Sequence, residues 1–350
     1  MINKLRGKLP PEFLKEEVFS RLPLPSKDER VILGPAIGED AAIIKLGDEL
    51  LAVHSDPVTG GGKLAGWLSV YVASNDIATR GVRPLWLLPV FLFREGADES
   101  EILGLVDQVG EAAGRIGATV IGGHTEVTPK LGFNIVVTTA MGVGKRVLRT
   151  GDARKGDLIV MTKECALEGT AILSSELSER LTSEGLSREV LRRASRFIEE
   201  ISVLEESMIA ASFNGVHSMH DPTEGGILGG VQEMAFASGL GFRVYEDRIP
   251  IREETREVCR ALSLDPLRLI SSGSLLIAVE RSKAEELVSA IERAGVRASI
   301  IGELIDRREG MIVLRRDGRE EDASDPVLDE LWRILGDQPA REGAAPDPKD

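Results

Sequence analysis

The sequence predicts an α+β protein with two domains. Its 350 residues exceed the roughly 150 of a typical domain, and β-rich runs alternate with segments of helical periodicity in both halves. A polar, glycine-rich stretch at 149–157 separates these halves. We therefore predict an N-terminal extension over 1–30, a first domain over 31–150, a second domain over 151–336 and a disordered tail over 337–350.

The first half opens with two short strands, predicted at 41–44 and 50–55 from their apolar, β-branched residues. A helix follows, because apolar residues recur every three or four positions at Leu64, Trp67, Leu68, Tyr71 and Val72. Gly81 and Pro84 predict its end. The remaining predicted elements are a strand at 85–92, a helix at 100–116, and strands at 119–121 and 133–141.

The second half restarts with a strand at 158–161, directly after the polar boundary. A long helical stretch is predicted over 187–211, followed by a glycine-rich break at 221–230. Further strands are predicted at 275–279, 298–301 and 311–314. This half therefore also combines helices and strands.

Charge and cysteine content exclude several classes of protein. The 57 acidic residues outnumber the 43 basic ones and give a net charge of −14, which disfavours nucleic acid or an anionic membrane as the main partner. Cys165 and Cys259 are too few for a disulfide framework and lack zinc-site spacing, so a reducing cytoplasm is expected. A nucleophilic Cys165 is conceivable, but no basic partner is identifiable, and a buried cysteine is the favoured interpretation.

Acidic residues at four places carry the main chemical signal. Glu39-Asp40 follows a glycine, Asp56 ends a strand, Asn75-Asp76 lies within an apolar helix, and Asp221 opens a glycine-rich turn. Carboxylates of this kind suit Mg²⁺ that also binds nucleotide phosphates. Alternatively, an Asp beside Gly or Pro is a common turn former or helix cap. Asp76 fits that alternative least, since it sits in the middle of a helix.

Two glycine-rich segments are weaker candidates for ligand contact. Gly60-Gly61-Gly62-Lys63 precedes a helix and could cradle a phosphate, although it matches no P-loop pattern and could equally be a flexible connector. Gly122-Gly123-His124-Thr125-Glu126 follows a strand and could be a ligand loop or a simple turn. His217 and His220 could indicate zinc or iron, but a third soft ligand is missing and that site is disfavoured.

In order along the chain, these segments resemble the superfamily that contains aminoimidazole ribonucleotide (AIR) synthetase, the hydrogenase maturation protein HypE, thiamine-monophosphate kinase and selenophosphate synthetase. Residues 38–42 are similar to the superfamily's Gly-Asp-Asp-Ala-Ala motif, and 221–226 to the Asp-Pro-Thr-Arg-Gly-Gly of HypE. The other matching segments, in sequence order, are Ser55-Asp56, Lys63, Asn75-Asp76, Gly81 to Pro84, 122–125 and 249–276. The resemblance is greatest to HypE.

The resemblance implies an AIR synthase-like fold and a homodimer. The N-terminal α/β domain would join a second subunit in an intersubunit β-barrel, followed by a C-terminal α+β domain. It also implies ATP and Mg²⁺ as cofactors, bound between the domains. The implied catalytic residues are Asp40, Asp76 and Asp221, and the implied metal ligands are these three with Asp56, while Glu39 is a weaker candidate. The implied nucleotide contacts are Gly38, Lys63, Asn75, Gly122, Gly123, Thr125 and Glu126.

Departures from the superfamily pattern bear on the substrate. HypE ends in a cysteine that carries the carbamoyl group, whereas this sequence ends at Asp350, so dehydration in the HypE manner is not expected. Selenophosphate synthesis is disfavoured because the N-terminal segment has no cysteine. His124 replaces a carboxylate of the relatives, and Glu224 replaces the arginine of HypE, which removes a positive charge.

The expected function is Mg-ATP-dependent phosphorylation or activation of a small-molecule acceptor, through an oxygen, amide or carboxylate, with release of ADP. One alternative is a non-catalytic nucleotide-binding dimer. Another is an accessory protein of the hydrogenase-maturation type that works with a partner protein. The third is a metal-dependent hydrolase that acts without nucleotide. The resemblance does not identify the acceptor.

Overall fold

The computed structural model describes residues 7–10, 13–23 and 28–335, and its architecture is built on two seven-stranded sheets. The strands of the first sheet are β1 (Val31–Leu33), β2 (Ala42–Leu46), β3 (Glu49–Val58), β4 (Trp86–Arg94), β5 (Thr119–Val120), β6 (His124–Thr128) and β7 (Ile135–Gly144). Their order is β1-β2-β3-β7-β4-β5, and β6 also pairs with β4. Both β5 and β6 run parallel to β4, so 119–128 forms one edge interrupted at Gly122-Gly123.

Two helices pack with this sheet, α1 (Ala65–Thr79) and α2 (Glu99–Ile116). The predicted helix beginning near Leu64 is confirmed as α1, and it ends where Gly81 adopts a φ of 73°. Every residue of α1 except Trp67 is buried, because the helix contacts β3 and β7 on one side and the second domain on another. Because the helix is buried, its polar side chains depend on partners inside the protein; Asn75 and Asp76 have such partners, whereas the Ser74 hydroxyl has none in the described part of the chain.

The second sheet contains β8 (Leu158–Thr162), β9 (Val216–His220), β10 (Gly241–Tyr245), β11 (Leu276–Val279), β12 (Ala298–Ile305), β13 (Met311–Leu314) and β14 (Glu320–Asp322). Their order is β14-β13-β10-β12-β8-β11-β9. The edge strand β9 contacts α1, which brings the end of β9 to the first domain. One apolar cluster contains residues of both halves, including Ile77 and Met161, so the two sheets share a core.

The helices of the second half are α3 (Leu167–Glu176), α4 (Ser178–Ser183), α5 (Arg188–Ser195), α6 (Leu204–Ser212), α7 (Gly226–Ser238), α8 (Glu253–Leu262), α9 (Ala284–Arg293) and α10 (Glu330–Leu335). The long helical stretch predicted over 187–211 is divided: α5 ends at Ser195, a 3₁₀ segment covers Arg196–Glu200, and α6 begins at Leu204. The glycine-rich break is shorter than predicted: Gly225 is left-handed, with a φ of 84°, and α7 starts directly after it.

The N-terminal extension includes a π-helical turn at Leu14–Val18 and a 3₁₀ turn at Phe19–Arg21. The predicted disordered tail, 337–350, lies outside the described residues. Within the described part of the chain, no helix combines the length and apolar character needed to cross a bilayer.

Candidate functional site at the domain junction

Arg80 organises the acidic residues that precede β2. Its guanidinium is fully buried at the end of α1, and it donates to Glu39 at 2.7 Å and to Asp40 at 2.8 Å. The carboxylate of Glu39 also accepts the backbone N–H groups of Thr150 and Gly151, at 3.1 and 3.0 Å. Glu39 therefore ties the first domain to the start of the second, and its oxygens already have partners.

Asp40 also belongs to a cluster with two residues at the end of β9, His220 and Asp221. Nδ1 of His220 lies 2.8 Å from Oδ1 of Asp40, and Nε2 lies 2.9 Å from Oε2 of Glu233 on α7. Burial opposes ionisation of Asp40, but the charges of His220 and Arg80 outweigh it and lower the pKa of Asp40 to about 2. Burial would also lower the pKa of His220, yet Asp40 and Glu233 hold it well above its usual value.

Asp221 is the carboxylate without compensation in this cluster. Both of its oxygens are buried and have no hydrogen-bond partner in the described part of the chain. Burial, followed by the charges of Asp76 and Asp40, raises the pKa of Asp221 well above its ordinary value. A buried, unpaired carboxylate is costly, so its position needs a proton or a cation.

A second cluster consists of His54, Asp56 and Asp76. His54 and Asp56 are two residues apart on β3, and the alternation of a strand places both on one face. Nε2 of His54 lies 3.0 Å from Oδ2 of Asp76 on α1. Although burial opposes it, the charge of Asp76 raises the pKa of His54 to about 9. Burial and the same charge of Asp76 raise the pKa of Asp56 to about 6.

The two clusters are parts of one electrostatic site, because the charge of Asp76 raises the pKa of both Asp56 and Asp221. Within each cluster the potential ligand atoms lie within 4.8 Å of one another. Hard carboxylate oxygens, crowded and partly unpaired, fit a divalent cation such as Mg²⁺. The two histidines are less typical of a magnesium site, although each cluster also supplies two carboxylates, which is within the number that Mg²⁺ usually takes from a protein.

The structure thus brings together the four aspartates that the sequence singled out, Asp40, Asp56, Asp76 and Asp221. Asn75 is buried beside them, but its amide donates to the carbonyl of Ile201 and accepts the N–H of Val203, both at 3.0 Å. Both of these backbone partners lie in the interruption between α5 and α6. The prediction that Asn75 binds nucleotide stays a prediction, since its amide is already paired across the domain junction.

Gly38 lies beside the same junction. It has a φ of 80°, and a Cβ there would be 3.0 Å from the carbonyl oxygen of Glu233 on α7. The backbone of the Gly38 segment therefore approaches α7 closely, and only glycine fits without adjustment. Lys63 is exposed, and its backbone N–H donates to Glu176 on α3 at 3.0 Å.

The segment from Gly122 to Glu126 lies at the edge of the first sheet. A Cβ on Gly123 would be 2.0 Å from the carbonyl oxygen of Pro89, so a close approach to β4 requires glycine there. Nε2 of His124 lies 3.1 Å from Glu126, and both side chains are exposed, as is that of Thr125. In the described part of the chain, this segment pairs with β4, and the Glu126 carboxylate contacts His124 and Thr128 rather than any of the four aspartates.

Two family models match the chain. One is described as AIR synthase related protein, N-terminal domain, over residues 38–144, and the other as AIR synthase related protein, C-terminal domain, over residues 154–315. Together they account for most of the sequence. The chain belongs to the AIR synthase-related family.

Relatives and solved structures place this AIR synthase-related chain near HypE. It is 32% identical to the carbamoyl dehydratase HypE of Azotobacter vinelandii over 246 residues, which are 69% of each chain. The structure of a HypE–HypF complex gives a TM-score of 0.70 at 24% identity, over 88% of this chain and 98% of that chain. A HypE structure in complex with ATP gives 0.65 at 23% identity, over 94% and 97%. The resemblance to this superfamily and its two-domain fold are confirmed.

Sequence reasoning missed His54, Arg80 and Glu233 at this AIR synthase-related site, and it considered His220 only as part of a disfavoured zinc or iron site. His54 had a detectable signal, because it shares a strand face with Asp56. Arg80 resembles an ordinary basic residue at a helix C-terminus, and its burial depends on residues up to 139 positions away. The two histidines of the disfavoured zinc site have different partners: His217 contacts Asp157, whereas His220 contacts Asp40 and Glu233. The buried Cys165 also matches expectation: its thiol donates to the Pro266 carbonyl, and burial raises its pKa.

Proposed function

We propose that the chain binds Mg-ATP at the domain junction, uses the γ-phosphate to phosphorylate or activate a small-molecule acceptor, and releases ADP. The observation that carries this proposal is the pair of coupled clusters around Asp76, in which Asp221 is buried without a partner. Such a site needs positive charge, and the Mg²⁺ that accompanies a nucleoside triphosphate would bring it. The structure of a HypE in complex with ATP supports the choice of nucleotide.

Asp40, Asp56, Asp76 and Asp221 are the residues that would hold Mg²⁺. When bound, the ion supplies charge that stabilises the phosphoryl group during transfer. Arg80 orients Asp40 by a hydrogen bond of 2.8 Å and keeps it ionised. Nε2 of His54 lies 3.0 Å from Asp76, and His220 bridges Asp40 and Glu233, so both imidazoles are placed to balance carboxylate charge. The protein contributes position and electrostatics rather than a covalent nucleophile.

The acceptor is a small molecule with a nucleophilic oxygen, an amide or a carboxylate, as the resemblance implies. A second copy of the chain is the proposed partner at the edge formed by 119–128. Val120, Ile121 and Val127 are 44%, 53% and 57% exposed on this edge, which leaves apolar surface and unpaired strand groups in the monomer. Pairing of this edge with a second subunit would cover both.

A second candidate function is that of an accessory protein in hydrogenase maturation. The identity with carbamoyl dehydratase HypE and the likeness to a HypE–HypF complex favour it. In that case a protein partner would deliver the acceptor group. Native mass spectrometry with a HypF-type protein tests this directly: a complex supports it, and the absence of one argues for a free small-molecule acceptor.

The deciding experiment is calorimetric titration of the purified protein with ATP, with and without Mg²⁺, followed by assay of ADP in the same sample. We expect magnesium-dependent binding and slow ADP release. Asp76→Asn should abolish both while leaving the fold intact, because it removes the charge shared by the two clusters. Asp107→Asn, on the exposed side of α2, is the matched control and should behave as the parent chain.

The outcomes separate the alternatives. Binding without turnover would favour the nucleotide-binding dimer or a missing acceptor. Hydrolysis of phosphate esters without ATP would favour the metal-dependent hydrolase. Full activity in Asp76→Asn would overturn the proposed site.

A further inference from the structure

Lys8, in the N-terminal extension, lies against the acidic site from a position far away in sequence. Its backbone N–H donates to Oε2 of Glu224 at 2.9 Å, a residue 216 positions further along the chain. Its ammonium donates to the hydroxyl of Thr223 at 3.2 Å and lies 3.5 Å from Oε1 of Glu233. Three separate contacts therefore fix both the backbone and the side chain of Lys8 on the loop after β9.

The residue before Lys8 shows that this docking is close. Gly7 has a φ of 79°, and a Cβ there would lie 2.7 Å from Oε2 of Glu224 and 2.7 Å from Nε1 of Trp332. The chain therefore passes between a side chain of the loop after β9 and a side chain of α10. Only glycine can occupy that passage without displacement of a neighbour.

The ammonium of Lys8 is linked to the proposed metal site through Glu233, because Oε2 of Glu233 lies 2.9 Å from His220, which in turn lies 2.8 Å from Asp40. Glu233 contributes most to raising its pKa, and the charges of Glu224, Asp56 and Asp76 add to this. The side chain is 55% exposed, so the ammonium is also reachable by a ligand. The sequence of the loop itself, 221–226, contains no basic residue.

We propose that Lys8 is a binding residue for the terminal phosphate of the Mg-bound nucleoside triphosphate, positioned by Glu224, Thr223 and Glu233. This inference rests on the proposed function. An ammonium beside Glu233, which contacts His220 next to the proposed ligand Asp40, is placed to contact an anion that the metal would also contact. Glu224 thus serves to recruit Lys8, which brings a positive charge to a loop that lacks one.

A purely structural role for Lys8 makes different predictions. If Lys8 only anchored the N-terminal segment, its loss would lower stability and would affect a nucleoside diphosphate and a triphosphate alike. A contact with the terminal phosphate affects the triphosphate selectively. The ratio of the two affinities therefore distinguishes the roles.

The test compares Lys8→Met, Lys8→Arg and the matched control Lys15→Met, an exposed lysine of the same extension. Each full-length variant is titrated with a non-hydrolysable ATP analogue and with ADP, both with Mg²⁺. Loss of one charge-assisted hydrogen bond is expected to weaken triphosphate binding about tenfold in Lys8→Met. ADP affinity should change less than about twofold. Lys8→Arg should retain most of the triphosphate affinity, and Lys15→Met all of it.

The recruiting role of Glu224 has its own measurement. Glu224→Gln weakens the acceptor for the N–H of Lys8, so hydrogen exchange of that amide should accelerate. In a Lys8→Met background, Glu224→Arg should restore part of the triphosphate affinity, because it returns a cation to the loop.

Failure of the proposed function and failure of the inference about Lys8 give different results. If the parent chain binds no Mg-nucleotide, both the proposed function and this inference fall. If the parent binds but Lys8→Met binds the triphosphate equally well, only the inference is overturned. An equal loss for ADP and the ATP analogue, together with a lower thermal midpoint, would also overturn it in favour of an anchoring role.

Discussion

Arg80 and Asp40 form a buried ion pair, with Nη2 of the guanidinium 2.8 Å from Oδ2 of the carboxylate. Neither side chain is more than 7% exposed. The same guanidinium donates to Glu39 and to the hydroxyl of Thr150, so one residue at the end of α1 holds the acidic segment and the domain boundary together.

Replacing Arg80 should therefore destabilise the protein strongly. Arg80→Met leaves the buried carboxylates of Asp40 and Glu39 without their cation, and removal of one partner from such a pair costs about 3–5 kcal/mol. Denaturant unfolding measures this, with the exposed Arg83→Met as a control expected to change stability by less than about 0.5 kcal/mol. A loss below about 1 kcal/mol in Arg80→Met would show that the pair is readily replaced by water.

Local sequence patterns were sufficient to predict the elements that have a clear apolar periodicity of their own. Helix α1 followed from apolar spacing, and the four acidic segments were recognisable from their unusual positions after strands and within a helix. The interruption between α5 and α6 could not be predicted in this way, because the partner of its backbone groups at Ile201 and Val203 is Asn75 from the other domain. Strand β6 was missed for a related reason, since its two preceding glycines indicate a turn until β4 supplies a partner.

The same limit applies to the site. The sequence identified Asp40, Asp56, Asp76 and Asp221 individually, but it carried no information on which of them would be paired. Arg80 compensates Asp40, and His54 compensates Asp76, whereas Asp221 is left with two unpartnered oxygens. These differences arise from tertiary contacts between the two domains, and they decide which residue depends most on a bound cation.

Glu168, near the start of α3, should make stability depend on pH. Burial raises its pKa from 4.5 to about 7, and the charge of Asp329 adds to the shift. Between these two pH values the folded state keeps a proton that the unfolded state has released. The contribution of Glu168 to stability therefore falls as pH rises from about 4.5 to 7, by roughly 3 kcal/mol in total.

Glu168→Gln removes this titration. The difference in unfolding free energy between the variant and the parent should shift in favour of the variant across the same pH interval. Glu179→Gln, at an exposed glutamate of α4, should run parallel to the parent. A pH-independent difference for Glu168→Gln would show that the carboxyl titrates normally in the folded protein.

Gly123 should be essential to the edge of the first sheet. Gly123→Ala places a Cβ 2.0 Å from the carbonyl oxygen of Pro89, and the φ of 148° adds strain for any other residue. Either β6 separates from β4 or the chain loses stability, by about 1–3 kcal/mol. Gly114→Ala, on exposed α2 with open space around it, should instead stabilise by up to about 1 kcal/mol. Thermal unfolding of the two variants tests this, and the prediction fails if both alanines have the same effect.

Asp221 should show opposite effects on stability and on ligand binding. Its carboxyl group is buried without a hydrogen bond and burial raises its pKa, so Asp221→Asn removes the cost of burying or protonating that group and should stabilise the metal-free protein by about 1–3 kcal/mol near neutral pH. Asp157 is the matched control: it is equally buried but accepts hydrogen bonds from the backbone of Arg154 and faces His217, so Asp157→Asn should destabilise. The same Asp221→Asn variant should lose magnesium-dependent ATP binding. Denaturant unfolding without metal and titration with Mg-ATP measure the two effects, and a variant that is less stable while still binding Mg-ATP would contradict both.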